Sequence, residues 1–181
     1  IDIWRKTKME FRPILISEST IDLYRDHKMK MVSGSGVAGD PIYNPFDGKM
    51  LQDWDWQVKT NLELIKKNIS TPGWKRSWGL FTKQMVIASL DLSGGAVLTN
   101  LHRCLLMMGV DRNYRRQGLG ENLLKYAINW ASETGLSWMD LAVLGTNSTA
   151  VNLYKKLGFK VTGTVDDAFI VSGESISNIQ M

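Results

Sequence analysis

The sequence predicts a single mixed α/β domain in which strands are combined with four helices. Three observations lead to this prediction. The chain has 181 residues, the size of one domain that buries most of its apolar surface. Some segments repeat apolar residues with a helical period, whereas others contain short apolar runs typical of strands. Glycine- and proline-rich turns separate these segments.

The N-terminal part is predicted to contain one strand, two helices and a long loop. The apolar segment 11–17 predicts the strand, and segment 21–32 predicts the first helix. Glycines and prolines in 33–45 favour a loop. The second helix is predicted over 50–69, where apolar residues recur at steps of three and four. These residues are Leu51, Trp54, Val58, Leu62, Ile65 and Ile69.

The C-terminal part begins with three apolar runs, which predict consecutive antiparallel strands. They span residues 77–81, 85–92 and 101–110. Two helices are predicted further on, with a strand between them and strands after the second. The helices span 120–134 and 147–157, the strand between them spans 138–144, and the last strands are 159–163 and a hairpin over 168–181. Gly135 and Gly158 are placed to end the two helices.

Composition excludes several classes of protein. Hydrophobic residues make up 44% of the chain and charged residues 22%, and no apolar run could span a bilayer, so no membrane partner is expected. The N-terminus lacks the apolar core of a secretory signal, and the lone Cys104 cannot form an internal disulfide; both favour the cytoplasm. The net charge of +4 comes from scattered basic residues rather than a long stripe, so no nucleic-acid partner is expected.

The segment RRQGLG, residues 115–120, lies where a predicted strand meets a predicted helix. The first amides of a helix have no intrahelical acceptor and lie at the positive end of the helix dipole. Glycine at 118 and 120 would let a bulky anion approach the backbone, and Arg115 and Arg116 would add positive charge. The segment is therefore either an anion site or a turn that needs glycine for its geometry.

Two familiar phosphate-binding motifs do not fit this segment. A P-loop requires Lys and Ser or Thr after its last glycine, and here Glu121 and Asn122 follow Gly120. A dinucleotide-binding motif requires a third glycine, where this chain has Leu123. It also requires an acidic residue at the end of the next strand, whereas Asp140 lies near the start.

A third class fits over a longer span. The segment VDRNYRRQGLGENLLKYAINWA resembles the acyl-CoA motif of the GNAT N-acetyltransferase superfamily, Q/R-x-x-G-x-G/A directly after a strand. Residues 141–159 resemble the second motif of that superfamily, with Asn147, Tyr154 and Gly158-Phe159 in the expected order. Together the motifs cover residues 108–160, and the C-terminal hairpin is similar to that of bacterial acetyltransferases of this type.

The resemblance implies a GNAT-type, mostly antiparallel seven-stranded sheet, flanked by about four helices, in which two central parallel strands splay apart. It implies one domain over 1–181, with 1–73 on the acceptor side and 74–181 forming the acyl-CoA-binding core and the hairpin. It also implies direct acetyl transfer from acetyl-CoA to an amine, without a metal. The acyl-CoA site then comprises Met108, Gly109, Val110, Arg115, Arg116, Gln117, Gly118, Leu119, Gly120, Glu121 and Asn147.

Tyr154 matches the family tyrosine that protonates the departing thiolate, and it is the predicted catalytic residue. Asn147 could bind the cofactor arm, cap a helix, or do both. Many relatives carry a glutamate on the strand equivalent to 102–110, and this chain has none there. Cys104 is expected to be a buried apolar residue, and His102 either accepts a proton or is structural.

The acceptor stays open at this stage. Without a strong base, an α-amine with a pKa near 8 is easier to acetylate than a lysine amine with a pKa near 10.4. Both a small-molecule amine and a protein N-terminus therefore remain candidates. Trp54, Trp56 and Trp74 could line the acceptor pocket or pack against other elements. A non-catalytic acyl-CoA-binding or regulatory module is the alternative function, and the C-terminal hairpin could support a homodimer.

Overall fold

The computed structural model describes residues 11–46 and 53–181. Within these ranges it contains four helices and eight strands, which confirms the mixed α/β class. The helices are α1 (Ile21–Ser33), α2 (Trp54–Lys66), α3 (Leu119–Glu133) and α4 (Ser148–Lys156). The strands are β1 (Ile14–Leu15), β2 (Lys75–Phe81), β3 (Val86–Gly94), β4 (Arg103–Val110), β5 (Trp138–Asp140), β6 (Ala142–Leu144), β7 (Gly163–Val171) and β8 (Glu174–Gln180).

The larger sheet has five strands in the order β1-β2-β3-β4-β5. Strands β2, β3 and β4 are consecutive and antiparallel, as predicted. Their register places Ser77 opposite Asp91 and Asp91 opposite Met107. Strand β5 pairs with β4 in parallel.

The two faces of this sheet are covered differently. Helix α3 packs on one face through a buried apolar stripe that comprises Leu123, Leu124, Ala127 and Ala131. There it meets Trp78, which is buried and lies edge-on to Trp130, with ring centroids 5.0 Å apart. Helix α1 packs on the other face, where Tyr24 and His27 are buried. Gly135, with φ of 82°, follows the end of α3 as predicted.

The single strand predicted over 138–144 divides into β5 and β6. Between them, Leu141 exchanges two main-chain hydrogen bonds with Met181, at 2.9 and 3.0 Å. Strand β6 then pairs with β8, in a second sheet of order β6-β8-β7. The strand changes partner because β8 supplies main-chain donors and acceptors that draw the chain away from β4.

Three other predicted elements differ in length. Strand β1 is confined to Ile14–Leu15, and after it the N–H of Ile16 still donates to the carbonyl of Ser77 on β2, at 2.8 Å. Residues 159–162 do not form the predicted strand, and β7 begins at Gly163. Helix α2 spans Trp54–Lys66 and so ends before the predicted residue 69, whereas positions 50–52 of the predicted helix lie outside the described residues.

Strand β7 forms the outer edge of the smaller sheet and is interrupted by a bulge. Its register with β8 shifts between Val165 and Phe169. Within the bulge Asp167 has a φ of 50°, and its carboxylate accepts a 2.6 Å hydrogen bond from Ser175. Asp166 beside it is exposed. No helix within 11–46 and 53–181 is both long and apolar enough to cross a membrane.

Candidate active site

A gap opens between two neighbouring strands of the fold. Strands β4 and β5 pair in parallel only over Arg103–Leu105 and Trp138–Asp140. Beyond this point β4 continues to Val110, whereas β6 pairs with β8. The strands therefore diverge towards their C-terminal ends, which confirms the expected splay.

Main-chain groups of β4 point into this gap. The N–H of Asp111 donates to the carbonyl of Ile87 on β3, at 2.8 Å. Successive residues of a strand point their main-chain groups to opposite edges, so those of Met108 and Val110 point away from β3 and into the gap. Gly109 instead pairs with Ser89 on β3, and a side chain there would meet Met31 of α1.

A run of main-chain donors lies where β4 leads into α3. The N–H groups of residues 116–121 have no acceptor among the described residues. Arg116 and Gly118 both have positive φ, at 59° and 78°, within the turn that precedes the helix. Concave arrangements of this kind, at the positive end of a helix, bind anions.

The two glycines of this junction meet different surroundings. A Cβ atom on Gly118 would have nothing within 4 Å, so the space in front of this turn is open. A Cβ atom on Gly120 would lie 3.3 Å from Met108 and 3.5 Å from both Val110 and Leu153. Gly118 thus permits the left-handed turn, and Gly120 permits close packing of α3 against β4 and α4.

The two arginines also differ. The guanidinium of Arg115 donates to the carbonyl of Val110 at 3.1 Å and lies 2.9 Å from the carboxylate of Asp40. Arg116 is exposed and makes no hydrogen bond or ion pair with another described residue. The side-chain amide of Gln117 donates to the carbonyl of Asn113, at 3.4 Å, so its main-chain N–H is not involved. Arg116 therefore supplies the uncompensated charge beside the free amides.

The first turn of α3 is anchored at two positions. Leu119 is buried in the core. Glu121 lies 2.9 Å from Lys125 and 2.6 Å from Lys156 of α4, and the hydrogen bonds from these lysines lower the pKa of its carboxyl to about 2. Its carboxylate ties α3 to α4, while its N–H stays available.

Helix α4 carries the other predicted site residues. The side chain of Asn147 accepts a 3.3 Å hydrogen bond from the N–H of Ala150, so its capping role is confirmed. Tyr154 is buried, and its ring lies edge-on to Phe159 at 5.8 Å. Burial raises the pKa of Tyr154 to about 12, so its hydroxyl stays protonated at neutral pH. That hydroxyl makes no hydrogen bond within the described part of the chain.

A cavity of about 160 Å³ lies on the α1 face of the sheet, at the end of β4. Its walls are formed by Lys30, Met31, Ser33, Gly34, Val37, Asp40, Tyr43, Asp111, Arg112 and Arg115. Asp111 is buried, accepts a hydrogen bond from the N–H of Asn113 and lies 2.5 Å from Lys30. Burial raises its pKa, but the hydrogen bond and charge of Lys30 outweigh this effect and keep it below its usual value.

Sequence reasoning missed Asp40, Tyr43 and Asp111. Asp111 directly follows an apolar strand, at a position where a carboxylate often accepts a hydrogen bond from the next turn, and that signal could have identified it. Asp40 and Tyr43 lie in a loop far from β4 in the sequence. No pattern along the chain indicates that such a loop would reach this end of the sheet.

Other predicted candidates lie away from the gap. His102 precedes the first residue of β4, on the order of 25 Å from Val110 at about 3.3 Å per residue, so its side chain lies far from the end of β4. Cys104 is buried, and burial raises the pKa of its thiol to about 12, as expected for an unreactive apolar residue. Trp74 is fully buried against Trp130 and cannot line an open pocket. The side chains of Trp54 and Trp56 lie outside the described part of the structure.

Residues 49–159 match the acetyltransferase (GNAT) family. The chain is 40% identical over 55 residues to the ribosomal protein bS18-alanine N-acetyltransferase of Escherichia coli (strain K12), which covers 30% of this chain and 37% of that protein. It is 38% identical over 58 residues to the mycothiol acetyltransferase of Nocardiopsis dassonvillei, which covers 32% of this chain and 18% of that protein. The chain thus spans less than two fifths of the length of these relatives.

The fold has close counterparts among solved structures. A GNAT-family acetyltransferase from Streptococcus pneumoniae superimposes with a TM-score of 0.79 at 18% sequence identity. The superposition covers 95% of this chain and 97% of that one. At this level of identity the likeness concerns the fold.

Proposed function

The chain belongs to the acetyltransferase (GNAT) family, and on this premise we propose that it is an N-acetyltransferase that moves an acetyl group from acetyl-CoA to an amine. The observation that carries the proposal is the run of unpaired amides over 116–121 beside the gap between β4 and β6. An anion site next to an open strand edge suits a ligand with a diphosphate and an extended amide-containing arm. Coenzyme A has both.

Each part of the junction has a separate role in this proposal. The amides of residues 116–121 hold the diphosphate, and Arg116 adds the positive charge. The main-chain groups of Met108 and Val110 hydrogen-bond to the pantetheine arm, as a neighbouring strand would. One of these β4 amides polarises the thioester carbonyl. Asn147 binds the same arm from the side of α4.

The reaction we propose is a direct transfer within a ternary complex. The amine nitrogen attacks the thioester carbonyl carbon, a C–N bond forms, and the C–S bond breaks. Tyr154 donates its proton to the departing thiolate, the new amide nitrogen loses one proton to water, and the Tyr154 phenolate regains a proton from solvent. The raised pKa of Tyr154 suits this role because the hydroxyl still carries its proton at neutral pH.

The acceptor is either a small-molecule amine or a protein N-terminus, and residues 1–73 supply much of its pocket. The bS18-alanine enzyme and mycothiol acetyltransferase represent these two classes. β4 carries no carboxylate, so no strong base lies on the strand beside the thioester. A substrate that is already partly neutral near pH 8 needs the least help, and this favours an α-amine over a lysine side chain.

Release of the CoA thiol from acetyl-CoA, measured against a panel of amines, tests the proposal. The panel contains peptides with a free N-terminus, the same peptides with only a lysine amine free, polyamines and amino sugars. Turnover with one class supports the enzyme and identifies the acceptor. Binding of acetyl-CoA in calorimetry without turnover of any amine would instead support the non-catalytic acyl-CoA-binding module.

A further inference from the structure

The segment 34–46, here called the bridging segment, contacts both sides of the gap. On the β4 side its Asp40 lies 2.9 Å from the guanidinium of Arg115. On the β6 side the carbonyl of Ile42 accepts a hydrogen bond from the hydroxyl of Thr146. The side chain of Ile42 also packs against the apolar cluster that contains Leu144. The segment thus crosses the open end of the gap on the face that α1 covers.

Arg115 makes three contacts that connect this segment to β4. Its Nε donates to the carbonyl of Val110 at 3.1 Å, and its Nη1 pairs with Asp40. Its guanidinium also lies over the ring of Tyr43, 5.4 Å from the centroid. The Tyr43 hydroxyl in turn donates to the carbonyl of Met31 in α1, at 2.9 Å. One side chain therefore joins the end of β4, the bridging segment and, through Tyr43, α1.

The bridging segment itself is held in one conformation by local hydrogen bonds. The N–H of Gly36 donates to the carbonyl of Pro41, at 3.2 Å. The hydroxyl of Ser35 accepts from the N–H groups of Tyr43 and Asn44, at 3.0 and 3.2 Å. Because its internal bonds are satisfied, its position over the gap depends on the attachments at its two sides.

We propose that Arg115 is a positioning residue that fastens the bridging segment and so shapes the acceptor pocket, and that its side chain is not a ligand of the diphosphate. This inference rests on the proposed function. Two observations separate Arg115 from its neighbour. Asp40 lies 2.9 Å from the guanidinium of Arg115 and 3.7 Å from that of Arg112, whereas Arg116 has no carboxylate partner among the described residues. Its Nε and Nη1 also point to Val110 and Asp40, so turning the guanidinium towards a diphosphate would break both contacts.

The cavity at the end of β4 gives the fastening a functional consequence. Asp40, Tyr43 and Arg115 all line it, so the contact between them fixes part of its wall. The volume of about 160 Å³ suits an amino-acid-sized group, and the cavity lies beside the end of β4, the strand along which acetyl-CoA is proposed to bind. Loss of the fastening should weaken acceptor binding and spare acetyl-CoA.

Three single variants and one double variant test this inference. Arg115→Gln and Asp40→Asn should each raise the KM for the best amine of the panel about five- to tenfold, with the dissociation constant of coenzyme A changed less than twofold. The double variant should be no worse than either single one, because both remove the same contact. Arg116→Gln, the matched control, should weaken coenzyme A binding about fivefold and leave the KM for the amine unchanged.

Hydrogen exchange supplies a readout that does not need activity. In Arg115→Gln and Asp40→Asn the amides of Gly36, Tyr43 and Asn44 should exchange about tenfold faster than in the wild type, and in Arg116→Gln they should not. This result supports the fastening even if no amine is acetylated, in which case only the proposed function fails. If Arg115→Gln weakens coenzyme A as much as Arg116→Gln does, and exchange in the segment stays unchanged, Arg115 is a phosphate ligand and the inference is wrong.

Discussion

The hydroxyl of Tyr24 donates a 2.6 Å hydrogen bond to the carboxylate of Asp91, which joins α1 to β3 inside the protein. Lys28 lies 2.8 Å from the same carboxylate, and Lys75 lies 3.9 Å from it. Asp91 is only 1% exposed. Burial raises its pKa, but the two ammonium groups outweigh burial and hold it well below its usual range. The carboxylate thus neutralises positive charge that the fold has taken out of water.

Asp91→Ala should lower the free energy of unfolding by about 3–5 kcal/mol, because it leaves buried charge without a partner. Tyr24→Phe should cost about 1–2 kcal/mol, since it removes one hydrogen bond and leaves both ion pairs. Urea denaturation followed by tryptophan fluorescence measures both. Equal losses in the two variants would mean that the ion pairs contribute nothing measurable.

His27 should make stability depend on pH. Burial, helped by the charge of Lys28, lowers its pKa to about 4. Between about pH 4 and 6.5 the imidazole of His27 is therefore protonated in the unfolded chain and neutral in the folded protein. The free energy of unfolding should rise with pH over this range, by up to about 3 kcal/mol. His27→Gln should remove this part of the slope. The control variant His102→Gln changes the exposed histidine and should keep the full slope. If the slope is unchanged in His27→Gln, groups other than His27 cause it.

Gly118→Ala should weaken coenzyme A binding at least tenfold, because it places a methyl group in the open space before the free amides. It should also cost about 1 kcal/mol of stability, since alanine is strained at a φ of 78°. Gly135→Ala is the control, with a φ of 82° and equally open surroundings at the other end of α3. This variant should lose the same amount of stability, and its dissociation constant for coenzyme A, measured by calorimetry, should match that of the wild type.

Tyr154→Phe should slow single-turnover acetyl transfer about 10²–10⁴-fold, because it removes the proposed acid. Stability should change by less than about 1 kcal/mol, since the hydroxyl has no partner within the described residues. With a pKa near 12 the loss should be uniform from pH 6 to 9. Tyr126→Phe, on the exposed side of α3, should transfer at the wild-type rate; an undiminished rate in Tyr154→Phe would remove the acid role.

Elements with strong periodicity could be predicted closely from the sequence. Helix α3 was predicted over 120–134 and spans Leu119–Glu133, because its apolar stripe and terminal glycine are local signals. The order of β2, β3 and β4 followed from short turns between apolar runs. Gly118 and Gly158 were placed at helix boundaries for the same reason, and both have positive φ.

Features that depend on distant partners could not be predicted. The division of β5 from β6 at Leu141 results from competition between β4 and β8, which lie far apart along the chain. The contact between Asp40 and Arg115 joins residues that lie far apart in the sequence, and the residues around each of them do not indicate that the two would meet. Part of the candidate site therefore lies in a loop that sequence reasoning treated only as a connection.

The bulge in β7 has a consequence for the protein in concentrated solution. An outer strand with an uninterrupted ladder of free amides and carbonyls can recruit another copy and grow into an insoluble ribbon. Here the register shift between Val165 and Phe169 breaks that ladder midway, and the exposed Asp166 and Asp167 add negative charge at the break. Both features disfavour pairing of a second copy along the exposed apolar side chains of β7.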